Sequence, residues 1–187
     1  PEFIAAEPGI SLPDHPARVI SPDLSAWATL PPADLHEGDP NREAYIVFTS
    51  GTSGMPMAVS HAHRAILARQ AMHRHWEGLT EQDRLLHAGA LNWTYTRGTG
   101  LLDPWTCGAT ALIPAAGTPP AALPALMARA GATILAAAPG VYRQLLRAEL
   151  PPLPTPRHDL SPGESQPQAL RADWPSRVVP SCHSTSG

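Results

Sequence analysis

Between residues 84 and 149 the chain alternates between two textures, and that alternation constrains the fold more than any other feature. Short apolar or β-branched runs fall at 84–88, 110–113 and 133–137. Helix-like stretches lie between and after them. One spans 93–106 and is interrupted by Gly98, Gly100 and Pro104; another spans 121–130 and is closed by Gly131; a third spans 141–149. This order predicts an α/β layer, a mostly parallel sheet surrounded by helices and joined by right-handed crossovers.

Proline sets the limits of the regular region. Its 23 copies gather at 8–40, 114–124 and 151–180, and the first and third clusters bracket the alternating centre. Three segments are therefore expected. Residues 1–43 form an extended Pro-rich lead-in with one short strand near 18–20. Residues 44–150 form an α/β core. Residues 151–187 continue it with little pattern, save a turn or two of helix at 168–174. At 187 residues the chain is long enough for a real core.

A net charge of −3 supplies no field that would gather nucleic acid or an anionic membrane. No apolar run reaches the roughly 20 residues that span a bilayer. Two cysteines make no disulfide framework or metal spacing, which suits a reducing, cytoplasmic setting. The chain opens without an initiator Met or a signal-like run, so its start reads as a cut.

The chemistry concentrates in residues 45–63, YIVFTSGTSGMPMAVSHAH. The run 45–48 is β-branched and aromatic and reads as a strand buried on both faces. An irregular loop is expected through Pro56, extended structure at 57–60, and a helix over 61–76 capped by Ser60 and ended before Gly78. Gly51 and Gly54 allow positive φ, so successive backbone N–H groups can converge on an anion. Thr49, Ser50, Thr52 and Ser53 add hydroxyl donors. A flexible Ser/Gly linker is the plain alternative, opposed by the strand, Pro56 and the helix that flank the loop. A P-loop is excluded because it needs a Lys after its last Gly, and all 13 basic residues here are Arg.

Residues 49–56 resemble, position by position, the phosphate-loop signature of the adenylate-forming superfamily: acyl- and aryl-CoA synthetases, luciferases and peptide-synthetase adenylation domains. The likeness continues through 90–96 with 108–110, which is similar to the acyl-pocket helix and next strand of benzoate-CoA-ligase-like enzymes. It continues again through 138–143, and through Arg157-His158 with Gly163-Glu164, covering about 17–177. The resemblance implies part of the N-terminal domain of an ATP-dependent carboxylic acid–CoA ligase. Such an enzyme uses ATP and Mg2+, forms an acyl-adenylate, and passes the acyl group to CoA. It implies nucleotide binding by Thr49, Ser50, Gly51, Thr52, Ser53, Gly54, the position of Met57, Gly163 and Glu164, and acid binding by Trp93 and Tyr95. The partners implied are a small carboxylic acid and ATP, with no nucleic acid and no membrane.

The departures matter as much. The family's loop Lys falls on Met57, its following Gly on Ala58, and the Ala before Gly163 on Pro162. Residues 181–187 hold no acidic residue, so the family's magnesium-binding Glu signature is not seen there. No catalytic residue and no metal ligand is assigned, and the isolated chain is expected to be inactive. A non-catalytic remnant or interaction module that binds nucleotide weakly is the alternative. Trp93 and Tyr95 can equally be core aromatics. His63 is singled out near the loop exit, and the other histidines read as solvated. Arg97, next to two glycines, could meet a carboxylate, with surface solvation as the default reading.

Overall fold

Leu85-Leu86 and Ile134-Leu135 hold apolar side chains on successive positions, so each strand must be covered on both faces. That is what the computed structural model shows; it describes residues 2–50, 55–147, 158–161 and 184–186. Strands β5 (Arg84–His87), β6 (Thr110–Leu112), β7 (Ile134–Ala136), β8 (His158–Ser161) and β9 (Ser184–Ser186) form one sheet in the order β6-β5-β7-β8-β9, parallel throughout. The fold is α/β, a mostly parallel sheet with surrounding helices.

Each face has its own core. Leu86 and Leu135 meet Leu123 and Met127 of α6 (Leu123–Ala130) and Tyr142 and Leu145 of α7 (Pro139–Arg147). Leu85, Ile134, Ala136 and Leu160 pack on the other side with Leu79 and Ala109. The buried Tyr142 hydroxyl lies 2.9 Å from the carbonyl oxygens of Leu135 and Leu160 and donates to one at a time.

The first half departs from expectation. The run 45–48 lies in β3 (Glu43–Ser50), which pairs antiparallel with β4 (Pro56–Ala62) in a separate two-stranded hairpin. It is not buried on both faces. Val47 is covered, but Phe48 is 68% exposed and Ile46 41%. β-branched and aromatic residues suit any pleated surface, so composition could not tell a hairpin from a central strand. Nor is the irregular stretch as long as expected, because Thr49, Ser50 and Pro56 belong to the ladder.

Ser60 does not cap a helix. Its hydroxyl donates to Glu43 Oε2 at 2.7 Å across the hairpin, and the helix begins later, at α2 (His63–Ala68), without a side-chain cap. The helical stretch is also segmented, through α3 (Gln70–Met72) and a π turn at His73–Glu77, before Gly78 closes it at φ 59°. A second π turn, Gly98–Leu102, joins α4 (Thr94–Arg97) to α5 (Asp103–Cys107).

Two compact units divide at Gly38/Asp39. The first contains β1 (Phe3–Ala5), β2 (Arg18–Ile20), paired parallel, and α1 (Leu24–Trp27), whose N-cap Asp23 accepts from the amides of Ser25 and Ala26. Strand β9 was not foreseen; its Ser-Thr-Ser sequence carries no apolar signal. The helix expected at 168–174 lies outside the described residues.

Candidate functional site

The hairpin is the frame on which the Ser/Thr/Gly loop is carried. Its ladder runs to Thr49↔Met57 and Ser50↔Pro56, leaving residues 51–55 as the connection. Gly51, Thr52, Ser53 and Gly54 lie outside the described residues. Thr49 and Met57 face each other as cross-strand neighbours, and Met57 is 59% exposed. No ammonium stands at that position.

The opposite end of the hairpin is pinned. Tyr45 stacks on His61 at 4.7 Å and 12°, and the Arg97 guanidinium lies 5.5 Å from the Tyr45 ring. Arg97 Nε donates to the Leu91 carbonyl at 3.0 Å. Arg97 thus ties α4 to the hairpin. His63 opens α2, its amide bonded to the Arg42 carbonyl. It sits at this pinned end, not at the loop exit: six strand positions separate it from Met57, about 20 Å of extended chain.

Where Arg69, His73 and Glu77 meet Asp103 lies a largely buried ionic cluster that sequence reasoning missed. Arg69 donates through Nε to Asp103 Oδ1 at 2.8 Å and through Nη2 to Asp103 Oδ2, and Nη2 also reaches Thr99 Oγ1 at 3.3 Å. His73 Nε2 is 3.7 Å from Asp103 Oδ1. Burial opposes the Arg69 charge, yet the bonds and charge of Asp103 hold its pKa above the usual range. Burial, reinforced by the Asp103 charge, pushes Glu77 up to about 8. Gly98 and Gly100, read from sequence as helix interruptions, are close-packing positions. A Cβ on Gly98 would lie 2.5 Å from the Arg69 guanidinium, and one on Gly100 2.6 Å from His87 Cβ.

At the carboxyl edge of the sheet is an apolar cavity of about 570 Å³. Ala88–Leu91 after β5, the segment 113–118 after β6, and Val141 of α7 line it. The connection from β5 leads to β6 on one side and that from β7 to β8 on the other. The cavity therefore opens where the winding reverses, the place at which α/β sheets take ligands. Runs of Ala, Gly and Pro just past two strand ends were the available signal, since small residues leave space there.

Trp93 and Tyr95 do not line this cavity. They pack on each other at 5.4 Å, Trp93 48% exposed and Tyr95 turned inward against His87 at 4.9 Å. Gly163 and Glu164 lie outside the described residues. Among the described residues, no three His, Cys, Asp or Glu side chains gather to hold a metal ion, and no helix is long and apolar enough to cross a membrane.

A family model for AMP-binding enzymes matches residues 8–182. The chain belongs to the AMP-binding enzyme family. Relatives of this family member include a 3-hydroxybenzoate/4-hydroxybenzoate–CoA ligase of Thauera aromatica, 35% identical over 72% of this chain and 26% of that protein. A 3-hydroxybenzoate–CoA ligase of Aromatoleum sp. (strain CIB) is 28% identical over 89% of this chain and 30% of that protein. The chain thus spans under a third of the length of either. The fold matches a benzoate CoA ligase from Burkholderia xenovorans LB400 (TM-score 0.72, 22% identity, 89% of this chain and 34% of that one). It also matches a malonyl-CoA ligase in a ternary product complex (TM-score 0.76, 23% identity, 95% and 39%).

Proposed function

We propose that this chain is the phosphate-loop-bearing part of an ATP-dependent carboxylic acid–CoA ligase that works through an acyl-adenylate, with an aryl acid as substrate. The observation that carries the reading is the hairpin. It closes at Ser50↔Pro56 around a Gly-, Ser- and Thr-rich connection, in a chain whose family binds AMP.

The residues fit a phosphate by hydrogen bonding and lack its usual counter-charge. Backbone N–H groups of 50–54 and the hydroxyls of Thr52 and Ser53 supply donors; Met57 supplies none. Their work is electrostatic: they hold the phosphate oxygens while pyrophosphate leaves, as converging donors do wherever negative charge builds. Gly163 and Glu164 would approach the nucleotide as well. ATP brings Mg2+ as part of the substrate, and CoA accepts the acyl group. Residues 1–43, 44–150 and 151–187 stand in this reading as lead-in, loop-bearing core and continuation, in a cytoplasmic protein.

Met57 favours a second reading, a remnant that binds nucleotide weakly without turning it over. The two separate in one assay, acid-dependent exchange of pyrophosphate into ATP by the pure chain. No exchange is expected from this segment alone; exchange above background would contradict the inactivity and favour the ligase outright.

A further inference from the structure

Both π turns end on the same pair of carboxyl groups. Glu77 is the last residue of the first turn, and Asp103 follows the second directly. Both residues are sealed from solvent, at 0% exposure. Arg69 is the guanidinium that acts on both, and it is already committed, binding Asp103 through Nε and Nη2. Asp103 and Thr99 face Glu77, yet among the described residues neither Glu77 oxygen makes a hydrogen bond of ordinary geometry. The other titratable groups around the pair are His73, on the same turn as Glu77 and 3.7 Å from Asp103, and Tyr95 of α4, a phenol that burial keeps protonated. Two buried carboxyl groups beside one committed cation cannot both ionise cheaply, and a single shared proton relieves them. Burial first, and then Asp103, outweigh Thr99 and Arg69 and raise Glu77 to about 8.

The pair is joined to the loop-bearing hairpin by a short path. β4 runs into α2 without a break, and Arg69 is the residue that ends α2. No side chain of α2 is buried, which leaves the Arg69–Asp103 bonds as the specific tie at its end. The Arg69 guanidinium also packs on Gly98, where a Cβ would lie 2.5 Å away. Arg97, one residue earlier, lies over Tyr45, which stacks on His61. We propose that the Glu77–Asp103 pair is a proton-operated latch on this hairpin. With one proton shared, Asp103 keeps Arg69, and the end of α2 and the Arg97–Tyr45 contact stay in place. When rising pH takes that proton from Glu77 to bulk water, the two carboxylates repel and both draw on Arg69. The first π turn then carries Glu77 toward solvent, and the hairpin shifts with the end of α2. The latched state is the one that holds the proton, so higher pH favours release. The latch operates whether or not the loop binds phosphate.

The test is a pH titration of the chain by NMR, with 13C on the glutamate side chains and 15N on the amides. The Glu77 carboxyl carbon, assigned through its own backbone, should titrate at about 8. The amides of Tyr45, His61 and Gly98 should shift with the same midpoint. Glu77→Gln keeps a neutral donor toward Asp103, so it should stay latched and lose that component of the hairpin shifts. Whatever the His61 ring contributes by itself is common to both proteins and cancels in the comparison. If the variant does not fold, the midpoints of the unaltered chain decide, since carboxyl carbon and hairpin amides must titrate together. A Glu77 carboxyl that titrates in the ordinary carboxylate range would overturn the latch. So would hairpin amides that stay still while Glu77 titrates at about 8, or that shift equally in Glu77→Gln.

Discussion

In the proposed phosphate site, Met57 is the residue expected to set affinity. A charge-assisted hydrogen bond to an anion is worth roughly 1.5–3 kcal/mol, so its loss weakens phosphate binding about tenfold to a hundredfold or more. Met57→Lys should recover a gain of that order in ATP affinity by calorimetry, because the position is exposed and the change costs the fold little. Glu77 and His87 make opposite demands on pH. The folded chain holds a proton on Glu77 that the unfolded chain releases between about 4.5 and 8, so this term falls away as pH rises through that window. His87 is neutral when folded and charges when unfolded between about 6.5 and 4, so its term is lost as pH falls through that one. The two slopes oppose each other from about 4.5 to 6.5. Above that, Glu77 acts alone, and the melting temperature should drop from pH 6.5 to 8. Glu77→Gln should flatten that limb; an unchanged drop would show that another group titrates there. Gly100→Ala drives a methyl to 2.6 Å from His87 Cβ and should cost about 1–3 kcal/mol in urea unfolding, as overpacking does.

Elements differ in how far their sequence announces them. β5, β6 and β7 fall within a residue of their expected ends, because a short apolar run between turn signals has one reading in a βα repeat. α6 and α7 lie where helices were expected but each starts two residues from its expected beginning; Gly131 closes the first as read, while Pro139 was not read as the start of the second. What escaped depends on partners distant in sequence. Tyr45–Phe48 says strand without saying with whom it pairs. In the second π turn, Arg69 and His87 pack against Gly98 and Gly100, some 29 and 13 residues away, a relation no local pattern records. The ionic cluster was invisible for the same reason: Arg69, Glu77 and Asp103 meet only after three helical segments have packed. In the candidate site, the loop motif was the feature read from sequence, and its residues 51–54 lie outside the described residues; the cavity past the ends of β5 and β6 was not foreseen. The Arg97 pin belongs to this scale. Arg97→Ala should shift the amides of both Tyr45 and His61 in NMR spectra, because the guanidinium holds the stacked pair to α4. Changes confined to α4 would mean that the hairpin holds its position without it.

At the scale of the molecule, one end of a hairpin is anchored and the other carries the loop. From Tyr45 to Ser50 the strand extends about 17 Å, so the anchor and the loop are distinct places on one rigid ladder. The parallel sheet supplies the cavity at its carboxyl edge, and the hairpin carries the loop proposed to hold phosphate. Membership of the AMP-binding family makes a nucleotide the ligand to try first. The most direct measurement is an ATP titration of the 15N-labelled chain and of its Met57→Lys variant. The amides of residues 50–54 should shift in both, with the variant saturating at ten or more times lower ATP. Loop amides that stay still in both proteins, while the rest of the spectrum shows a folded chain, would contradict the phosphate-loop role on which the account depends.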